Sequence, residues 1–248
     1  MLEEPIYDLN ELVRSNWHVH THHSACSSQA MTLPCILAMA QASGVHTIAL
    51  TDHHHHEKDT IEEKILALQQ DMEGRDSSVT LHFGAELTAL DIGIYSDSLE
   101  LNQKIPYRLY ACNHFQMSSV FHPVEESPRA YAEHSLEVLR ALLPTGRADC
   151  IAHPLVGVYL SKILPDHTAV GACITDAELG DILELGRVHN VAWDFNTKVA
   201  RHDPKFMQRL WHTGKELGVI FHLGTDAHAP NQIDPRKDLD FLEKLLLS

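Results

Sequence analysis

Short apolar runs rich in β-formers recur along the chain at Trp17–Thr21, Thr47–Thr51, Val79–Ala85, Tyr107–Cys112, Asp149–Ala152, Val191–Phe195 and Val219–Leu223. Runs of this length and composition predict buried strands. Between them, apolar residues return every three or four positions. Ile61, Ile65, Leu68 and Met72 form such a stripe, so residues 60–73 are predicted to be helical. Ser127 before Pro128 makes an N-cap and first-turn pair for a helix whose buried face carries Tyr131, Val138, Leu139 and Leu142. Thr175 and Glu178 have the spacing of a capping box. Helices over Leu33–Ser43 and Lys205–Leu217 should stop at Gly44 and Gly218, and a last helix is expected over Lys237–Leu247.

Strands alternating with helices imply parallel βαβ units, and seven such units in one chain predict an α/β barrel. No linker or shift of composition divides the sequence, so residues 1–248 are expected to form one domain. Asp91–Pro106 and Pro154–Ile174 break the alternation and are expected to be loops laid over one face, as substrate walls or lids.

Composition narrows the class. With 44% hydrophobic residues and no apolar run of about 20 residues, a soluble protein without a membrane span is expected. The segment Met1–Asn10 is acidic and unlike a signal peptide, which suggests a cytoplasmic location. Five widely spaced cysteines without a Cys-x-x-Cys pair do not suggest a disulfide framework. A formal charge of −15 makes duplex nucleic acid a poor partner. Oligomeric state is not encoded in any of these features. The anomaly is 20 histidines, including the internal run His53–His56.

Placing the histidines on the predicted strands separates them. His18 and His20 are one residue apart on strand one and face the same side. Later strands end in Asp52-His53, Glu86, His114, His153, Asp194-x-Asn196 and Asp226-x-His228. In a parallel barrel these C-terminal ends converge on one cavity. Imidazoles and carboxylates together suit zinc, manganese or iron, and Glu86 is the candidate bridge of a multinuclear hydrolytic centre. Asp52 is expected to orient a histidine rather than ligate. His54, His55 and His56 are expected in a wet loop, and the remaining histidines on the surface or in the core.

The ordered set Trp17-His18-Val19-His20-Thr21, Leu50-Thr51-Asp52-His53, Gly84-Ala85-Glu86, Asn113-His114-Phe115, Ala152-His153-Pro154 and Gly224-Thr225-Asp226-Ala227-His228 resembles the polymerase and histidinol phosphatase (PHP) family over residues 16–235. The resemblance implies a distorted seven-stranded (β/α)7 barrel, similar to a TIM barrel, with two or three divalent ions. It assigns His18, His20, Glu86 and Asp226 to one metal, Glu86, His114 and His153 to its neighbour, and His53 and His228 to a third. Where the family often supplies a further His or Asp, this chain has Ser24-Ala25-Cys26, so the additional ligand is expected to be Cys26 as thiolate or one of His22, His23 and Asp52, and without it the centre is binuclear. Asp194-Phe195-Asn196-Thr197 followed by Arg201 is similar to the histidinol-phosphatase-like branch, in which that arginine clamps the substrate phosphate.

The function implied is a metal-dependent phosphoesterase that hydrolyses a small phosphomonoester through a metal-activated hydroxide, with Arg201, Asp226 and Glu86 in the reacting site. Three alternatives are a PHP-type exonuclease on single-stranded ends, a metal-binding accessory protein without catalysis, and an amidohydrolase. The first would need a basic or aromatic track beside the metals.

Overall fold

The computed structural model describes residues 4–56 and 60–247; Met1–Glu3, part of the acidic N-terminal segment, lie outside the described residues. Seven strands lie parallel in the order β1 (Ser15–Val19), β2 (Thr47–His54), β3 (Thr80–Asp91), β5 (Tyr107–Ala111), β6 (Cys150–Ala152), β7 (Ala192–Asn196) and β8 (Phe221–Gly224). The short β4 (Ile94–Tyr95) pairs antiparallel with β3. The ring is drawn together where His20 N donates to Ala227 O at 2.9 Å and Ala227 N donates to His18 O at 3.2 Å. This is a distorted (β/α)7 barrel.

The helices form where local chemistry predicts. Ser127 caps Pro128–Leu142 by accepting from Ala130 N, and Ile61, Ile65 and Leu68 are the buried face of Ile61–Met72. Thr175 and Glu178 close a reciprocal capping box on Asp176–Val188. Gly44 and Gly218 end their helices at φ of 62° and 75°, a backbone that disfavours a side chain. The last helix, Leu239–Leu246, starts later than predicted because Pro235–Asp238 winds as a 3-10 turn.

Two expectations need correction. Asp91–Pro106 is not loop: β3 runs on to Asp91, turns into β4, and the helix Leu99–Lys104 follows, capped by Ser98. β3 therefore continues five residues beyond Glu86, which lies within the strand instead of at its end. Pro154–Ile174 is only partly loop, with a 3-10 turn at Val158–Leu160 and the helix Ala169–Cys173.

Large side chains pack between sheet and helices, whereas the inside of the barrel is lined by small ones, including Ala49, Ala111, Cys150, Ala152 and Ala192. At its N-terminal end Trp17 stacks on His222 at 4.1 Å, and Tyr107 Oη lies 2.9 Å from His222 Nδ1. These rings border a cavity of about 110 Å³ at that end, whereas the C-terminal rim, where parallel barrels place their chemistry, gathers the buried histidines and carboxylates.

Candidate metal centre

Glu86 stands at the middle of the C-terminal rim, fully buried. Its Oε1 is 2.9 Å from His153 Nε2 and 3.3 Å from His114 Nε2. Its Oε2 is 2.9 Å from His53 Nδ1 and 3.4 Å from the Nε2 atoms of both His18 and His20. The contact with His53 follows from strand register, because His53 and Glu86 are directly paired on β2 and β3. Asp226 Oδ1 completes the arrangement, 3.1 Å from His20 Nε2, 3.6 Å from His18 Nε2 and 3.3 Å from His228 Nδ1. Among the described residues, three groups have ligand atoms within 4.8 Å of one another: His18, His20 and Glu86; Glu86, His114 and His153; and His20, His53 and His228.

Neighbouring polar groups fix the rings. Asp194 Oδ2 takes His18 Nδ1 at 3.0 Å, so Nε2 faces Glu86. The same oxygen accepts from His153 N and Asn196 Nδ2. Asn113 Nδ2 donates to the carbonyls of His153 and Val156, so its Oδ1 is the acceptor for His153 Nδ1 at 2.9 Å. Thr88 Oγ1 meets His114 Nδ1 at 3.2 Å. Such outer partners set tautomer and ligand orientation. His153 and Asp226 also hold left-handed backbone, with φ of 34° and 50°. Conformations of this kind persist only where the surroundings enforce them.

The electrostatics are those of a dense cluster of opposite charges. Burial disfavours the ionised form of Glu86, yet His53, His18 and His114 hold its pKa well below the usual range. Asp226 is depressed against its own burial by His18, His20 and Lys198. Burial also opposes protonation of His53, but Glu86 and Cys26 raise it to about 10, and Glu86, Asp226 and Asp194 raise His18 likewise. His20, desolvated and beside His53, falls to about 3. His18 Nε2, His20 Nε2, His53 Nδ1 and Glu86 Oε2 are buried without a hydrogen bond. Buried polar atoms left in this way cost about 1–3 kcal/mol each. Imidazole nitrogens and carboxylate oxygens aimed at one another are a donor set that fits divalent ions.

The other residues singled out from sequence fall at differing distances. Cys26 is exposed, and although partial burial opposes ionisation, His228 and His53 bring its thiol down to about 6. Asp52 accepts from Thr21 N, Thr21 Oγ1 and Ser24 Oγ, and Ser24 Oγ in turn lies 3.5 Å from His20 Nδ1. It braces the turn after β1. Arg201 is paired with Asp238, its guanidinium lies 4.4 Å from the Phe241 ring centroid, and it lines a cleft of about 250 Å³ with Lys198 and Lys237. His54 is a further correction, since it is buried on β2 with Nε2 3.1 Å from Ser96 O. β4 and the turn before Ser98 cover it. His55 Nδ1 lies 3.2 Å from Thr88 Oγ1, and His56 is exposed.

Three residues near the site carry no sequence signal of their own. Lys198 Nζ is 3.0 Å from Asp226 Oδ2. Asn113 was only a neighbour of His114 in the motif. Tyr159, in the segment after His153, makes T-shaped ring contacts with His114 and His153, at centroid distances of 5.5 Å and 5.2 Å. Burial raises its pKa well above the ordinary phenol value, and Asp226 and Glu86 add to the shift.

No family profile matches the chain, and no curated protein matches it. Solved structures do. A histidinol phosphate phosphatase of Lactococcus lactis subsp. lactis Il1403, solved with zinc, L-histidinol and phosphate, is 17% identical; the match covers 93% of each chain with a TM-score of 0.58. A Listeria monocytogenes protein assigned as a histidinol phosphatase is 13% identical over 88% of this chain and 97% of its own, with a TM-score of 0.61. From one end of the barrel to the other, this chain has the fold of those two proteins.

Proposed function

We propose that this protein is a metal-dependent phosphoric ester hydrolase of the PHP type that acts on a small phosphomonoester. The observation that carries the reading is the set of buried, unbonded nitrogen and oxygen atoms converging around Glu86 at the C-terminal rim. The likeness in fold to a phosphatase solved with zinc, L-histidinol and phosphate adds support.

His18, His20, Glu86 and Asp226 would hold one ion; Glu86, His114 and His153 a second; His53 and His228, with His20 or Cys26, a third. Bound zinc, manganese or iron supplies Lewis acidity and lowers the pKa of water near neutrality. The chain's own groups do the positioning. Asp194 and Asn113 hold two histidines with Nε2 facing Glu86. Lys198, beside Asp226, offers positive charge to an incoming phosphate. Arg201, paired with Asp238 and lining one cleft with Lys198, would leave that pairing to reach the same phosphate.

Protein loaded with zinc or manganese should release phosphate from histidinol phosphate or another member of a panel of small phosphomonoesters. Glu86→Ala and His20→Ala should each lose at least about 10³-fold in rate, as expected when a metal centre is dismantled. Activity unchanged in both variants would overturn the assignment.

A further inference from the structure

We infer that Tyr159 is a catalytic hydrogen-bond donor to a phosphoryl oxygen of the bound substrate, an inference that rests on the phosphomonoesterase reading above. The residue lies in the 3-10 turn Val158–Leu160, in the segment that follows the ligand-bearing His153. Its ring meets the rings of both His114 and His153 nearly edge-on, at interplanar angles of 81° and 68°. The phenol thereby stands over the group formed by Glu86, His114 and His153.

The turn is held in place. Leu160 is fully buried and its N donates to Gly157 O at 2.8 Å. Asn113, the residue that orients His153, also donates to Val156 O at 3.1 Å. Gly157 lies so close to the rest of the segment that an added Cβ would sit 2.2 Å from His167 O and 2.8 Å from Val170 Cγ2. The hydroxyl itself makes no hydrogen bond to the described residues, and the charges that reach it are those of Asp226, Glu86, Asp194 and Cys26. It is a neutral donor within electrostatic reach of the cluster.

Lys198 stands at the Asp226 end of the centre and Tyr159 at the His114–His153 end. A phosphoryl group against the centre would be held between a cation and a fixed phenol. A donor fixed beforehand, near where charge gathers, stabilises a transition state more than a mobile one, because no reorganisation is needed during reaction.

Zinc-loaded wild type and Tyr159→Phe, which keeps the ring and its packing, test the inference. Orthophosphate titrated by calorimetry should bind the variant about 10-fold more weakly, the effect of losing one hydrogen bond to a charged group. kcat should fall about 100-fold, and by the same factor for an alkyl phosphomonoester and for 4-nitrophenyl phosphate. Zinc content and Tm should match wild type. Equal phosphate affinity would overturn the inference. A loss confined to the alkyl ester would place the donor at the leaving oxygen, and a fall in zinc content would make Tyr159 a packing residue; both contradict it. If wild type hydrolyses no phosphomonoester, the phosphatase reading fails by itself, and the orthophosphate comparison still decides whether Tyr159 donates to phosphate.

Discussion

His18 and Asp194 show how little separates a candidate metal ligand from a buried core histidine. One hydrogen bond to Nδ1 leaves Nε2 turned to Glu86 at the rim. Asp194→Asn should weaken zinc binding by about 10–100-fold, the usual cost of losing such a partner, measured by competition with a chromogenic chelator. Gly224 supports the same pair from behind, because a Cβ there would lie 2.3 Å from Asp194 Oδ1 and 2.7 Å from His18 Cβ. Gly224→Ala should therefore reduce zinc content and Tm together. Protonation belongs to this scale as well. With His53 raised to about 10 and His18 raised too, the metal-free cluster holds protons at neutral pH. Zinc must displace them, so binding at pH 7 should release protons and weaken as pH falls. Calorimetry in buffers of different ionisation enthalpy would detect the release.

Among the elements, the junction of Pro128–Leu142 with Asp176–Val188 depends on Glu178. Its carboxylate accepts from Thr175 N within the capping box and pairs with Arg129 of the other helix. The hydrogen bond from Arg129 and those from Thr175 lower its pKa from 4.5 to about 2. Because the folded value is depressed, the contribution is complete above the unfolded pKa near 4.5 and is lost as pH falls through about 2. Glu178→Gln should cost about 1 kcal/mol at pH 7, after allowance for solvent screening, and almost nothing near pH 2; urea melts at the two pH values would show it. Helices of this kind were legible because caps and apolar stripes are local. The elements within 91–106 were not, since β4 is held by pairing with β3, Ser96 after it by bonding His54 O, and the helix that follows by Asn102 donating to Tyr110 Oη and Arg147 O. None of these leaves a period in the sequence.

For the molecule as a whole, the centre joins strands from every part of the ring. β1, β2, β3, the segments after β5 and β6, and the segment after β8 all contribute side chains to the groups that could hold metal ions. Ions bound there stabilise only the folded chain, by about 2.7 kcal/mol at 100 times Kd. Chelation should therefore lower Tm by several degrees, and zinc should restore it; an unchanged melting curve would show that the cluster does not bind ions. The charge of −15 acts on the same scale, favouring small substrates over polynucleotides. Release of mononucleotides from an oligonucleotide should be negligible beside turnover of small esters.

The sequence alone determined the alternation of strands and helices, the helix caps, and the metal-binding residue types in their order along the chain. These are properties of local propensity and of spacing. Tertiary structure decided which atoms meet. Strand register brought His53 to Glu86, and the turn after β6 brought Tyr159 over His114 and His153. Tertiary structure also paired Arg201 with Asp238 and Lys198 with Asp226. Each of these depends on packing between residues far apart in the chain, where a difference of a few ångströms separates a ligand from a bystander.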